Sequence, residues 1–131
     1  HGMARFTALT YHWLAAWRGT RRRGPYDEHI EALIAKLRAN PGEDWSVARM
    51  AEFCHLGERR FRDVFRAVTG SPPKRFLDRI RLEQGRELLR MGLCNVGEAA
   101  DRLGYSSAFH FSRAYRQWFG EPLSAAMAGE R

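Results

Sequence analysis

The chain contains one stretch twice. Val47, Ala51, Cys54 and Leu56 match Val96, Ala100, Leu103 and Tyr105 at an offset of 49; beyond the turn, Phe61, Phe65 and Gly70 match Phe111, Tyr115 and Gly120 at an offset of 50. Each copy reads as a short helix carrying Ala where a second helix must cross closely, a turn of about three or four residues, and a longer amphipathic helix ending at Gly. The change of offset puts one extra residue in the second turn. Two copies joined by a long helix are too few for a stable solenoid. What remains is an all-α chain of paired helices, each pair presenting the outer face of its second helix.

Those outer faces carry the chemistry. In GERRFRDVFRAVTG, residues 57–70, the side chains Phe61, Val64, Phe65 and Val68 fall at i, i+3, i+4 and i+7 and predict one buried stripe. Arg59, Arg62, Asp63 and Arg66 then point outward, with Arg60 at the edge. In SSAFHFSRAYRQWFG, residues 106–120, the same periodicity turns Ala108, Phe111, Ala114, Tyr115, Trp118 and Phe119 inward and His110, Arg113 and Arg116 outward. Two basic probes on one small body suit a polyanion, and the second helix of a helix-turn-helix unit is the one that enters the DNA major groove.

Charge is unevenly placed. The formal net charge is +7, but residues 1–24 hold five arginines and no acid, so residues 25–131 have 17 basic against 15 acidic groups. Within that remainder, residues 26–45 carry five acids against Lys36 and Arg38, whereas 106–119 carries Arg113 and Arg116 with no acid. This segregation predicts a positive face on a nearly neutral body, the arrangement a phosphate backbone exploits.

The order of signals divides the 131 residues. Residues 1–3 read as an expression scar and 4–25 as an amphipathic helix followed by a basic linker, the end of a missing regulatory domain or a dimer contact. Phe6, Leu9, Trp13, Ala16 and Trp17 form the apolar face of that helix, and GTRRRG the linker. Residues 26–72 form the first unit, 73–91 a linker helix and 92–131 the second unit. Asp27 is expected to cap a helix with Ile30, Leu33, Ile34 and Leu37 on one face, stopped by Asn40-Pro41-Gly42, and Ser46 to cap the next. Pro73 suits a first helical turn. The linker helix, from Lys74 to about Arg90, carries Phe76, Leu77, Ile80, Leu88 and Leu89 inward and spans about 25 Å. Gly85 inside it costs roughly 1 kcal/mol against Ala, so a tight contact is expected there.

Other functions find little support. No apolar run approaches the roughly 18 residues of a membrane span, and no signal core is present, so no membrane association and a cytoplasmic, nucleoid-associated location are expected. Cys54 and Cys94 lack a C-x-x-C partner, which argues against a disulfide framework and a zinc site. No convergent nucleophile, acid and base suggests catalysis, and neither a cofactor nor a metal is expected. Two alternatives remain: an interaction or dimerisation module using the Trp13/Trp17 face with secondary DNA binding, and a domain of DNA-repair type with a reactive Cys54 or Cys94.

The run RIRLEQGRELL followed by VGEAADRLGYSSAFHFSRAYRQWFG resembles the AraC/XylS family of bacterial transcription regulators. The family signature, a G-[FY]-x-[SD] turn followed by F-[SC]-x-x-[FY]-[KR] and a closing glycine, is met by Gly104, Tyr105, Ser107, Phe111, Ser112, Tyr115, Arg116 and Gly120. The resemblance covers about residues 27–127 and implies about seven helices: two homeodomain-like helix-turn-helix units joined by a long linker helix. It implies double-stranded DNA as partner, with RNA polymerase, transcriptional activation, and a homodimer formed through a missing N-terminal domain. Base-reading positions fall on Arg59, Arg62 and Asp63 in the first unit and on Ala108, Phe109, His110 and Arg113 in the second. Phosphate contacts are expected from Arg60, Arg66, Lys74, Arg79, Ser107, Ser112 and Arg116. Three departures stand out: Ala108 and Phe109 replace polar residues, Gly57 replaces a Ser cap, and the closing Gly120-Glu121-Pro122-Leu123 segment leads to the expectation of a weakly packed last helix.

Overall fold

Helix starts and stops obey local chemistry along most of the chain. The computed structural model describes residues 24–128; the expected Ala4–Trp17 helix, with its Trp13/Trp17 face, and the basic linker up to Arg23 lie outside them. Among the described residues there are seven helices and no strand: α1 Asp27–Ala39, α2 Val47–Phe53, α3 Glu58–Thr69, α4 Pro73–Arg90, α5 Val96–Leu103, α6 Ala108–Phe119 and α7 Leu123–Ala128. Ser46 caps α2 by accepting from the Arg49 amide at 3.0 Å, and Asn95 with Glu98 closes a reciprocal capping box on α5. Pro73 opens α4. The Asp27 cap is not made. Tyr26 holds the cap position without a side-chain bond, and Asp27 is the first helical residue and buried, an acid at the positive end of the helix dipole.

The buried stripes assemble two cores. The first gathers Ile30, Leu33, Ile34 and Leu37 of α1, Met50 and Ala51 of α2, and Phe61, Phe65 and Val68 of α3. The second gathers Ala99, Ala100 and Leu103 of α5, Phe111 and Tyr115 of α6, and Leu123 and Ala126 of α7. Helix α4 serves both, giving Phe76, Leu77 and Ile80 to the first and Leu82 and Leu89 to the second. Leu88 is only half-buried. Gly85 meets its expectation: a Cβ there would lie 2.7 Å from Phe111 Cζ and 2.8 Å from Leu103 Cδ1, so the second unit packs directly on the backbone of α4. The last helix departs from expectation, because Leu123 and Ala126 are buried against the second core; the apolar spacing suffices for docking.

The repeat is visible in the backbone. His55 and Gly104 occupy equivalent left-handed positions, at φ 59° and 86°, and the amides of Leu56 and Tyr105 donate back to the carbonyls of Ala51 and Ala100 at 3.0 and 2.9 Å. Each turn is therefore a Schellman-type helix end. The offset changes after Tyr105: the cap of α3 is Gly57 and that of α6 is Ser107, which makes Ser106 the additional residue.

Candidate nucleic-acid interface

Helix α3 buries Phe61, Phe65 and Val68 and leaves Arg59, Arg60, Arg62, Asp63 and Arg66 exposed. Arg62 lies 3.8 Å from Glu58, one helical turn back; an exposed pair of this kind contributes little and releases the guanidinium at small cost. Arg60 sits 5.8 Å over the Tyr26 ring, which places it at the edge toward α1. At the cap, Gly57 makes no side-chain bond to the first turn, so the leading amides of α3 have no side-chain cap at the positive end of the helix.

Helix α6 is built differently. Ser107 caps it by accepting from the His110 amide at 3.2 Å, which leaves the hydroxyl hydrogen of Ser107 free to donate elsewhere. His110, Arg113 and Arg116 are exposed, as is Phe109 at 68%. Ser112 is half-buried. Ala108 corrects the sequence reading: it is exposed in the first turn of α6, because the helix begins there and the second core starts only at Phe111. The Ser106 hydroxyl is hydrogen-bonded to His110 Nδ1, a contact the first unit has no residue to make.

Between the two helices runs a groove lined by Arg66 of α3, Arg75, Arg79 and Glu83 of α4, and Trp118 of α6. Arg75 stacks 4.8 Å over the Trp118 ring, and Arg79 pairs with Glu83 at 3.4 Å. Lys74 is exposed beside them. Arg75 was not singled out by sequence reading, although its i, i+4 spacing to Arg79 was the available signal. The carboxyl of Asp78, on the same helix, is raised by burial against the lowering effect of Lys74, Arg81 and Arg75.

The surroundings of Cys54 do not suit the alternative of a reactive cysteine at that position. Cys54 is buried and its thiol is pushed up to about 11 by that burial, the opposite of an activated nucleophile. Among the described residues no group of three or more His, Cys, Asp or Glu is placed to hold a metal ion. No helix among them is long and apolar enough to cross a membrane.

Two helix-turn-helix units sharing a long helix, each with its second helix bare and basic, define a tandem DNA-binding module. The profile of a helix-turn-helix domain family matches residues 50–128. The chain is 35% identical over 125 residues, 95% of its length and 42% of the relative's, to YidL, an uncharacterised HTH-type transcriptional regulator of Escherichia coli K12. It is 29% identical over 90 residues to the HTH-type transcriptional regulator AlkR of Acinetobacter baylyi, covering 69% of this chain and 29% of that one. Among solved structures, the DNA-binding domain of AdpA, a global transcriptional factor determined in complex with a target DNA, superposes with a TM-score of 0.73 at 27% identity, over 78% of this chain and 92% of that one. The chain belongs to the AraC-type helix-turn-helix family of DNA-binding transcriptional regulators, a family of binding proteins and not of enzymes. It spans less than half the length of these two curated relatives.

Proposed function

We propose that this chain binds a specific double-stranded DNA site by placing α3 and α6 in successive major grooves, and that it regulates transcription in the bacterial cytoplasm. In this reading residues 26–72 and 92–131 are the two reading units and 73–91 the connector. Arg59, Arg62 and Asp63 read bases in one half-site, and Phe109, His110 and Arg113 read the other, with Phe109 against a thymine methyl group. Arg60, Arg66, Lys74, Arg79, Ser107, Ser112 and Arg116 hold phosphates, joined by Arg75 in the groove between the helices. RNA polymerase is the further partner, and a homodimer forms through a domain beyond this chain. The observation that carries the reading is the pair of equivalent turns leading into two helices whose apolar stripes are buried and whose basic faces are exposed.

The test is selection of binding sites from random duplex DNA. A non-palindromic site with two unlike halves is expected, because the two helices present different side chains. Arg62→Ala and Arg113→Ala should each relax preference in a different half, by roughly 1–3 kcal/mol of discrimination. With about six phosphates neutralised, log K should fall against log salt with a slope near −5. Uniform weakening across all sequences would reassign the arginine to a phosphate, and a slope near zero would remove DNA as the ligand.

A further inference from the structure

The two units touch at a place that neither the repeat nor the linker helix requires. Arg81, in the middle of α4, donates through Nε to the Pro41 carbonyl at 2.8 Å and through Nη2 to the Glu43 carbonyl at 3.1 Å. One turn further on, Gln84 donates to the Arg38 carbonyl at the end of α1, at 2.9 Å. The loop these bonds hold lies between α1 and α2, in the first unit. Its other side is pressed against the second unit: a Cβ on Gly42 would lie 2.3 Å from the Arg102 carbonyl oxygen, and one on Gly104 would lie 3.1 Å from the Gly42 carbonyl oxygen. Gly104 is the left-handed turn residue leading to α6, and the adjacent Tyr105 stacks on Phe111, the core anchor of α6, with ring centroids 5.2 Å apart. An unbroken path of contacts therefore runs from the loop of the first unit to the second reading helix.

We propose that this clasp, Arg81 with the Pro41–Glu43 loop seated on Gly104, is a positioning device that sets the orientation of α6 relative to α3 and thereby the half-site spacing the protein accepts. The inference rests on the two-helix reading above. Helix α4 already packs into both cores, but its contacts with the first unit and with the second lie at different points along its length. The clasp adds a direct contact between the loop of the first unit and the turn of the second, bridged by Arg81 of α4. Gly42 meets the backbone of Arg102 and Gly104, and Gly104 meets the backbone of Gly42 beside the Arg81 guanidinium, so the contact is mostly backbone on backbone, and packed backbone is not continuously deformable. The Arg81 guanidinium, half-buried, finds in the two carbonyls the acceptors its fork requires.

The experiment measures binding of the whole chain to selected sites with altered half-site spacing, from one inserted base pair to about ten, close to a full turn. The native chain should show a sharp optimum, with binding at about five inserted pairs reduced to that of one isolated half-site. Arg81→Met, which keeps the stem and loses both bonds, and Gly42→Ala, which wedges the backbones apart, should leave binding to isolated half-sites unchanged. Both should lose about tenfold at the optimum through lower effective concentration and show a flattened spacing profile. A profile unchanged in folded variants overturns the clasp. Native binding indifferent to every spacing overturns the two-helix reading instead. Should the variants fail to fold, residual dipolar couplings on the native chain decide: couplings from both units should fit one alignment tensor, and two distinct tensors would reject the proposal.

Discussion

Ser106 Oγ is hydrogen-bonded to Nδ1 of His110 across one turn of chain, and Ser106 is the residue by which the second unit exceeds the first. The bond ties the exposed imidazole to the turn and directs Nε2 away from it, so in the proposed reading the ring would be presented to a base edge in a restricted orientation. Ser106→Ala should leave thermal stability within about 0.5 kcal/mol, as exposed substitutions generally do. It should weaken discrimination at one base pair of the second half-site. Site selection with the variant checks this; an unchanged preference would leave the bond without a role in recognition.

Gly85 is a position where propensity and packing oppose each other. Ala would gain roughly 1 kcal/mol in helix propensity, but its methyl group would stand 2.7 Å from Phe111 Cζ and 2.8 Å from Leu103 Cδ1. Overpacking of this kind costs about 1–3 kcal/mol, so Gly85→Ala should be destabilising in net and Gly85→Val more so. Urea unfolding of the three proteins measures the order, and a stabilised Gly85→Ala would show that the second unit shifts freely on α4.

His55 holds by strain the conformation that Gly104 adopts without it. A left-handed non-glycine residue costs on the order of 1 kcal/mol, and His55, at φ 59°, is the one such residue among those described. His55 is exposed, and its ring stands in a T-shaped arrangement with that of His29 at a centroid distance of 5.7 Å. His55→Gly should therefore raise stability by up to about 1 kcal/mol, less the added freedom of the unfolded chain. Denaturant midpoints test it, and a loss of stability would assign the His29–His55 contact more weight than the strain.

Alkaline pH should act through the buried thiol. Cys54 has an ordinary value of 9.0 raised to about 11 by burial, so the folded chain holds its proton after the unfolded chain has lost it. Stability from this group is complete below pH 9 and falls as the pH rises from 9 toward 11. The full shift amounts to about 2–3 kcal/mol at most. Tyr105, pushed up to about 12 mainly by burial, extends the decline in the same direction. Cys54→Ala removes the first contribution, so the stability gap between the native chain and this variant should narrow between pH 9 and 11. A gap constant across that range would contradict the buried thiol.

Most of the architecture was legible because helix period and helix punctuation are local. The stripe Phe61, Val64, Phe65 and Val68, the Ser46 cap and the stop at Asn40 each depend on residues within a few positions. Gly85 could be read as a close contact because glycine inside a strong helix needs a tertiary reason. Asp27 and Ala108 were misread at helix starts, where one residue of register decides whether a side chain caps, buries or faces out. Leu123 and Ala126 were undervalued because a short helix gains its stability from the surface it lands on, and that surface is made by α4 and α6 together.

The sequence by itself determined two amphipathic helices with basic outer faces, the turns before them, and the extra residue in the second turn, since periodicity and turn chemistry act within each segment. Only the tertiary structure decided how the units are held together. The bonds from Arg81 to Pro41 and Glu43 cross about forty residues of chain, and the approach of Gly42 to Gly104 crosses more. Neither follows from any local pattern, because a guanidinium and two glycines carry no periodic signal and their partners are backbone atoms that every residue possesses.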